Sequence, residues 1–188
     1  MVRAFAAEPL EAGLVDTLVD LARRGPSAGN TWGLDVLVCD DPDSRRLYWD
    51  TTLDPGARAT FPWPGLLDAP ALLVFWADPD AYLQRYREPD KAHTGLGAGL
   101  GAWPVPYWFV DAGAAIENVL IAAPSLGLGC CLFGLFEHEA AVARAFGVPP
   151  GRRGVGTVAV GRPAPDRPSR SARRGRPPLD SVLHRGRW

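Results

Sequence analysis

Apolar residues recur along the chain with two different spacings, and these spacings predict alternating helices and strands. Leucines repeat every three or four residues over 10–24, which predicts an amphipathic helix that ends at Gly25 and Pro26. The run 71–77 is apolar at every position and predicts a strand covered on both faces. The other predicted elements are strands over 34–39, 130–136 and 154–161, helices over 44–53, 109–126 and 137–146, and one or two helical turns over 79–86.

The segments between these elements are predicted to be irregular. Residues 54–67 are predicted to form a loop, and Leu47 and Leu53 to face inward from the helix before it. Residues 87–108 carry repeated Gly and Pro and are predicted to form a mobile flap. Residues 162–188 form a tail rich in Pro and Arg, with little capacity for a core of its own.

The order and number of these elements indicate the fold class. Helices and strands in this order predict an α+β or α/β sandwich with a central sheet. The length of 188 residues suits one domain over 1–188. An apolar fraction of 47% is ordinary for a globular protein and excludes general disorder.

Charge is balanced overall but unevenly placed. The net charge is −1, yet residues 151–188 carry ten Arg against two Asp. Such a region indicates nucleic acid, an anionic cofactor or an acidic partner. Nucleic acid is disfavoured because stacking aromatics are not interleaved with the arginines. The histidines have no ligand-like spacing, so no metal site is predicted.

The three cysteines and the apolar runs bear on location. Cys130 and Cys131 are adjacent and the cysteine count is odd, which disfavours a disulfide framework and predicts a reduced, cytoplasmic protein. Charged residues and Pro124 interrupt the longest apolar stretch, so no membrane segment is predicted.

Three short segments are candidates for chemistry. Pro26-Ser27-Ala28-Gly29-Asn30 lies between a helix and a strand, where main-chain N–H groups and small polar side chains can meet a flat polar ligand. A plain connecting turn uses the same residue types. The second segment is the helix over 109–118 with Gly127-Leu128-Gly129 and Phe133-Gly134-Leu135. The third is the Arg-rich run 173–180 together with the ending 184–188. Residues 97–102 fit G-x-G-x-x-A, but they follow no strand and so do not predict dinucleotide binding.

In combination, the three segments resemble the nitroreductase family. The resemblance implies an α+β three-layer sandwich with a mixed central sheet flanked by helices, and a homodimer in which the C-terminal arm is exchanged. It implies FMN as cofactor and NAD(P)H as electron donor. The implied cofactor-binding residues are Arg3, Pro26, Ser27, Ala28 and Asn30, the strand end Phe133, Gly134 and Leu135, and Arg174 and Arg176 for the phosphate.

The chain departs from the family pattern at two places. Trp32 stands where many relatives have Gln. The front matches only from Val2 to Phe5, with Met1 in the position of a Ser, so the resemblance implies either a coding start upstream of Met1 or weaker FMN binding.

The resemblance also implies the reaction. Hydride passes from NAD(P)H through flavin N5 to a nitroaromatic, quinone or enone, and no side chain need be catalytic because the flavin carries the chemistry. The expected substrate pocket consists of Trp32, Trp103, Tyr107 and Trp108. Open alternatives are a flavin-dependent dehydrogenase or oxidase of a natural-product intermediate, a non-catalytic flavin-binding protein, and a basic-tailed interaction module without flavin. Neither nucleic acid nor membrane is an expected partner.

Overall fold

A four-stranded sheet forms the centre of the computed structural model, which describes residues 1–188 apart from the side chains of Arg170 and Ala172. The strands are β1 (Leu34–Cys39), β2 (Ala71–Ala77), β3 (Gly129–Phe133) and β4 (Arg153–Gly161). Their spatial order is β1-β2-β4-β3, and all three pairings are antiparallel. The predicted α+β class is confirmed. The mixed sheet implied by the resemblance is not seen among these four strands, because β4 runs opposite to both of its neighbours.

The central strand β2 is buried along its whole length. Alternate residues enter two separate apolar clusters: Leu73 and Phe75 pack on one face of the sheet, and Leu72, Val74 and Trp76 pack on the other. The prediction that both faces of this strand are covered is therefore confirmed.

Helices cover the two faces of the sheet and give three layers. The helices are α1 (Leu14–Ala22), α2 (Pro42–Thr52), α3 (Pro55–Ala59), α4 (Pro79–Arg85), α5 (Tyr107–Ser125) and α6 (Glu139–Phe146). Residues of α1 and α5 pack against the face that carries Leu73, while residues of α2 and α6 pack against the opposite face. Helix α1 begins four residues later than predicted, because Gly13 before it has a φ of 83° and lies outside the helical region.

Helix α2 corrects one prediction about the core. Leu47 was expected to face inward but is 42% exposed, whereas Tyr48 and Trp49 are buried. The hydroxyl groups of Tyr48 and Thr157 lie 2.7 Å apart and satisfy each other inside the core. Leu53 is partly buried against the same cluster, as predicted.

The predicted loop over 54–67 contains the short helix α3. Asp54 accepts a hydrogen bond from the main-chain N–H of Ala57 at 2.9 Å, and Pro55 occupies the first helical position. An Asp cap followed by Pro is a helix-start signal, so the sequence did carry this element.

The predicted flap over 87–108 contains three short 3-10 turns and no strand, and its last two residues already belong to α5, which begins at Tyr107. Residues 87–106 pack on the rest of the domain. The Trp103 side chain is buried, and its indole N–H donates to the carbonyl of Leu96 at 3.0 Å. Arg87 donates to the carbonyl of Gly97 at 2.8 Å. Mobility of this segment remains a prediction.

The edges of the sheet are treated differently. Strand β1 is an outer strand on which Asp35 is exposed, and Arg152 binds Asp35 at 2.7 Å and Asp78 at 2.8 Å. At the other edge, the main-chain N–H of Val2 donates to the carbonyl of Cys130 at 2.9 Å in β3. Met1 contacts Leu132 and Phe5 pairs with Pro163, so the N-terminal segment runs alongside β3 in the opposite direction.

The tail after β4 contributes little to the core, as predicted. Its apolar side chains are exposed, with Leu179 at 71%, Val182 at 61% and Trp188 at 99%. The three cysteines are free and buried, and burial raises the pKa of Cys39 to about 12. Within the described part of the chain, no helix is both long enough and apolar enough to cross a membrane.

Candidate functional site

The turn that joins α1 to β1 has an unusual backbone. Gly29, Asn30 and Trp32 have φ values of 65°, 58° and 57°. Glycine adopts this region freely and asparagine tolerates it, but a bulky residue there is strained. Strain of about 1–3 kcal/mol per residue persists only where the surroundings impose it. The contacts that hold this turn therefore bear directly on its function.

Ser27 holds the turn from within. Its hydroxyl oxygen accepts hydrogen bonds from the main-chain N–H groups of Thr31 at 3.1 Å and Trp32 at 3.0 Å. Both lone pairs of the hydroxyl are thus used by the turn itself, and only its hydrogen remains to donate. Ser27 was predicted to bind a ligand. The structure shows that it also fixes the backbone that would meet one.

Asp111 holds the same turn from outside. Its Oδ2 atom accepts from the main-chain N–H of Ala28 at 2.7 Å and from the Tyr82 hydroxyl at 2.7 Å. Burial, together with the carboxylate of Asp111, raises the pKa of Tyr82, so its hydroxyl stays protonated as a donor. The sequence analysis did not assign this role. The available signal was an acid in the first half of a mostly apolar helix, where Glu117 is the other acid.

A cavity of about 500 Å³ lies beside the turn and is called the turn cavity. Its walls come from the end of α1, from the turn and from α5, with Arg24, Pro26, Ser27, Trp32 and Asp111 among the lining residues. The Trp32 side chain is 51% exposed on this wall. Asn30 is also exposed but is not part of the lining.

A second cavity of about 380 Å³, the strand-end cavity, lies where β3 ends. The structure brings four of the predicted cofactor-binding residues to it: Arg3, Phe133, Gly134 and Leu135. Its aromatic wall includes Trp49, Trp63 and Phe136.

Two aromatic contacts shape that wall. The Arg3 guanidinium lies 5.1 Å from the centre of the Trp63 ring, and the Trp49 ring stacks on Phe133 at 5.9 Å. A guanidinium, main-chain groups at a strand end and flat apolar walls together suit a planar ring with polar edges.

The four residues of the predicted substrate pocket are divided by the structure. Trp103 and Tyr107 line a third cavity of about 390 Å³, the aromatic cavity, which also touches Ala28 of the turn. Trp108 does not line that cavity but is buried, with its ring 5.9 Å from that of Trp103 and 6.1 Å from that of Tyr82. Trp32 lines the turn cavity instead.

The predicted phosphate-binding residues lie apart from both the turn cavity and the strand-end cavity. Arg174 and Arg176 are exposed in the tail and line neither the turn cavity nor the strand-end cavity. Those two cavities share no lining residue within the chain. One chain therefore presents the predicted cofactor-binding residues as separate groups.

Substitution of Trp32 tests the backbone strain. The Trp32→Gly variant is expected to be more stable than the Trp32→Ala variant, with a free energy of unfolding about 1 kcal/mol larger. The reason is that glycine adopts a positive φ without a steric penalty. Both variants lose the indole, so their difference isolates the backbone. At Thr31, where φ is −78°, the order should reverse and Ala should be the more stable variant. Urea unfolding of the four variants measures both differences, and equal stabilities of the two Trp32 variants would contradict the expectation.

Comparisons with known proteins give a consistent result. The sequence profile described as the Nitroreductase family matches residues 1–162. An FMN reductase (NADPH) from Bacillus subtilis is 26% identical to the chain over 184 residues, which are 97% of this chain and 68% of that relative.

Solved structures are similar in fold over nearly the whole chain. NfrA1 nitroreductase from B. subtilis has a TM-score of 0.72 and 24% identity, over 98% of this chain and 70% of that one. A nitroreductase family protein from Streptococcus pneumoniae has a TM-score of 0.73 and 17% identity, over 97% of this chain and 94% of that one. These similarities support the three-layer α+β description.

Proposed function

The chain belongs to the Nitroreductase family, and we propose that it is an FMN-dependent oxidoreductase with NAD(P)H as electron donor. The name of the B. subtilis relative, FMN reductase (NADPH), supports both molecules. The observation that carries the proposal in this chain is the strand-end cavity, where Arg3 and the end of β3 meet between aromatic walls.

The residues of the strand-end cavity fit a flavin ring. Stacked Trp49 and Phe133 offer a flat apolar surface. The Arg3 guanidinium supplies positive charge, which a flavin's pyrimidine edge requires once it becomes negative on reduction. Main-chain N–H groups of Gly134 and Leu135 are the proposed donors near N5 and O4. Gly134 has no side chain, and the Phe136 ring occupies the space that a Cβ atom would fill, 2.6 Å from that position, at the wall of the cavity.

We place the cofactor between two copies of the chain. The turn residues Pro26, Ser27, Ala28 and Asn30 lie away from the strand-end cavity of their own chain. A homodimer lets the turn of one copy complete the strand-end cavity of the other. The exposed apolar residues Leu179 and Val182 are consistent with a tail that packs on a partner rather than on its own domain.

Arg174 and Arg176 are the proposed phosphate ligands. A guanidinium matches the oxygens of a phosphate in two parallel hydrogen bonds, and both side chains are exposed and able to meet a second copy. Exchange of the C-terminal arm would carry them across the dimer. In this arrangement the domain binds the flavin ring and the tail binds the phosphate.

The proposed reaction follows from the chemistry of FMN and from the exclusion of water by aromatic side chains. Bound FMN supplies hydride transfer at N5, from NAD(P)H and then to an acceptor. Trp103 and Tyr107 line the aromatic cavity beside Ala28 and would exclude water from an aromatic molecule placed there. Nitroaromatics, quinones and enones are the proposed acceptors. The three buried free cysteines fit a reducing compartment, so the cytoplasm is the proposed location.

Purified protein tests the proposal directly. It is expected to be yellow or to become yellow with added FMN, to release FMN on denaturation, and to oxidise NADPH or NADH when menadione or a nitroaromatic is present. Absorbance at 340 nm follows the reaction. Colourless protein that takes up no FMN would contradict the proposal. Bound FMN without oxidation of either nicotinamide would favour the alternative of an oxidase or a non-catalytic flavin-binding protein.

A further inference from the structure

Three residues on one face of α4 and just after it contact the candidate cofactor turn. Tyr82, Arg85 and Tyr86 are spaced three and four residues apart, so they lie on one side of the helix. Tyr82 donates to Asp111, which holds Ala28. A Cβ atom on Gly29 would lie 2.8 Å from the Tyr86 ring, so that ring sits directly against the turn.

Of these three residues, Arg85 is the one whose side chain donates a hydrogen bond to the backbone of the turn. Its Nε–H donates to the carbonyl of Gly29 at 2.7 Å. Gly29 immediately precedes Asn30 and has a positive φ itself. The bond is partly buried, and a charged donor to a carbonyl is stronger than a neutral one.

The guanidinium is itself fixed by acids from the segment that follows. Nη1 and Nη2 donate to the two carboxylate oxygens of Asp90, each at 2.7 Å, and Nη1 also donates to Glu88 at 2.8 Å. The hydrogen bonds to Asp90 raise the pKa of Arg85, so its charge is permanent. The planar guanidinium is hydrogen-bonded to Gly29, Glu88 and Asp90, so it cannot rotate freely. The acids at 88 and 90 therefore help to hold Gly29 in place.

We propose that Arg85 is a positioning residue for the cofactor: it holds Gly29 so that the turn keeps its strained conformation before FMN arrives. This role rests on the proposed function, because the ligand concerned is FMN. The physical reason is the strain at Asn30 and Trp32, which favours relaxation to other conformations whenever the outer contacts are removed. A turn that is correctly shaped only part of the time binds with an affinity reduced by that fraction.

Arg85→Met removes every donor while keeping a long side chain. It is expected to weaken FMN binding at least about tenfold, the effect of losing one charge-assisted bond, as measured by quenching of FMN fluorescence. In the FMN-free protein, the amides of Thr31 and Trp32 should exchange hydrogen faster, because their bonds to Ser27 depend on the shape of the turn. Arg85→Lys keeps the charge and one donor and should restore part of both losses.

Arg87→Met is the matched control, since Arg87 donates to the carbonyl of Gly97 and not to the turn. It should leave the FMN dissociation constant and the exchange of Thr31 and Trp32 as in wild type. Unchanged affinity and exchange in Arg85→Met, or equal losses in the Arg87 variant, would overturn the positioning role.

Two further outcomes, a variant that does not fold and a wild-type protein that takes up no FMN, need separate experiments. If Arg85→Met does not fold, Asp90→Ala removes the carboxylate that accepts from Nη1 and Nη2 of Arg85, and the same two measurements decide the matter. If wild-type protein takes up no FMN, the proposed function fails, and hydrogen exchange alone then decides whether Arg85 holds the turn.

Discussion

Replacement of Arg174 and Arg176 together by glutamine is expected to weaken FMN binding by about 100-fold or more. In the proposed site each guanidinium would contribute a charge-assisted hydrogen bond to the phosphate, worth about 1.5–3 kcal/mol, and about 1.4 kcal/mol corresponds to a tenfold change in affinity. Riboflavin, which lacks the phosphate, should bind the variant and the wild type equally. Titration of both flavins by fluorescence quenching measures the two effects.

The stability of the FMN-free protein should be unaffected by this double substitution. Both side chains are exposed, and the described part of the chain offers them no hydrogen bond or ion pair. The unfolding midpoint is therefore expected to change by less than about 2 °C. Arg185→Gln with Arg187→Gln is the control, because it removes two charges from the same tail at residues that are not predicted to bind the phosphate. An equal loss of affinity in that control would show that the tail acts only through its overall charge.

Asp111→Leu is expected to damage both stability and FMN binding. The substitution leaves the main-chain N–H of Ala28 and the hydroxyl of Tyr82 without their acceptor. Each unsatisfied donor costs about 1–3 kcal/mol, so the unfolding free energy should fall by about 2–6 kcal/mol. FMN affinity should fall by about 100-fold, because release of strain at Asn30 and Trp32 leaves only a small fraction of turns in the binding conformation.

Two variants separate this effect from a change of charge on α5. Asp111→Asn keeps one acceptor oxygen and should lose less of both quantities. Glu117→Leu removes an exposed acid from the same helix, and its stability and FMN affinity should match those of wild type. Urea unfolding and fluorescence titration provide the two measurements. A Leu variant with wild-type affinity would show that Asp111 does not control the turn.

Local sequence was sufficient for the elements with strong patterns. The bounds of β1 and β2 agree with the sequence prediction because each apolar run is ended by a change in residue type, such as Asp40 after Cys39. Predictions failed where a local exception overrode the pattern. Helix α1 begins only after Gly13, and Leu47 is 42% exposed because the neighbouring Tyr48 and Trp49 fill the core instead.

The candidate site was only partly predictable, because its support comes from distant positions. The contact between Ala28 and Asp111 spans 83 residues, and the contact between Arg85 and Gly29 spans 56. The spacing of residue types along the sequence does not predict contacts between residues so far apart. The turn, the strand end and the tail arginines were predicted from short motifs, whereas the contacts that shape the turn required the folded chain. In the proposed homodimer, the position of the tail relative to the cavities depends in addition on a second copy.

The exposed acid on the outer strand has a consequence for behaviour at high concentration. Strand β1 ends the sheet, and its unpaired main-chain groups would otherwise template the addition of a neighbour's strand. Asp35 places a charge on this edge strand, and Arg152 holds it there, so a neighbour's strand added alongside would have to accommodate a charged side chain. The chain is therefore protected at this edge against open-ended growth into fibrils.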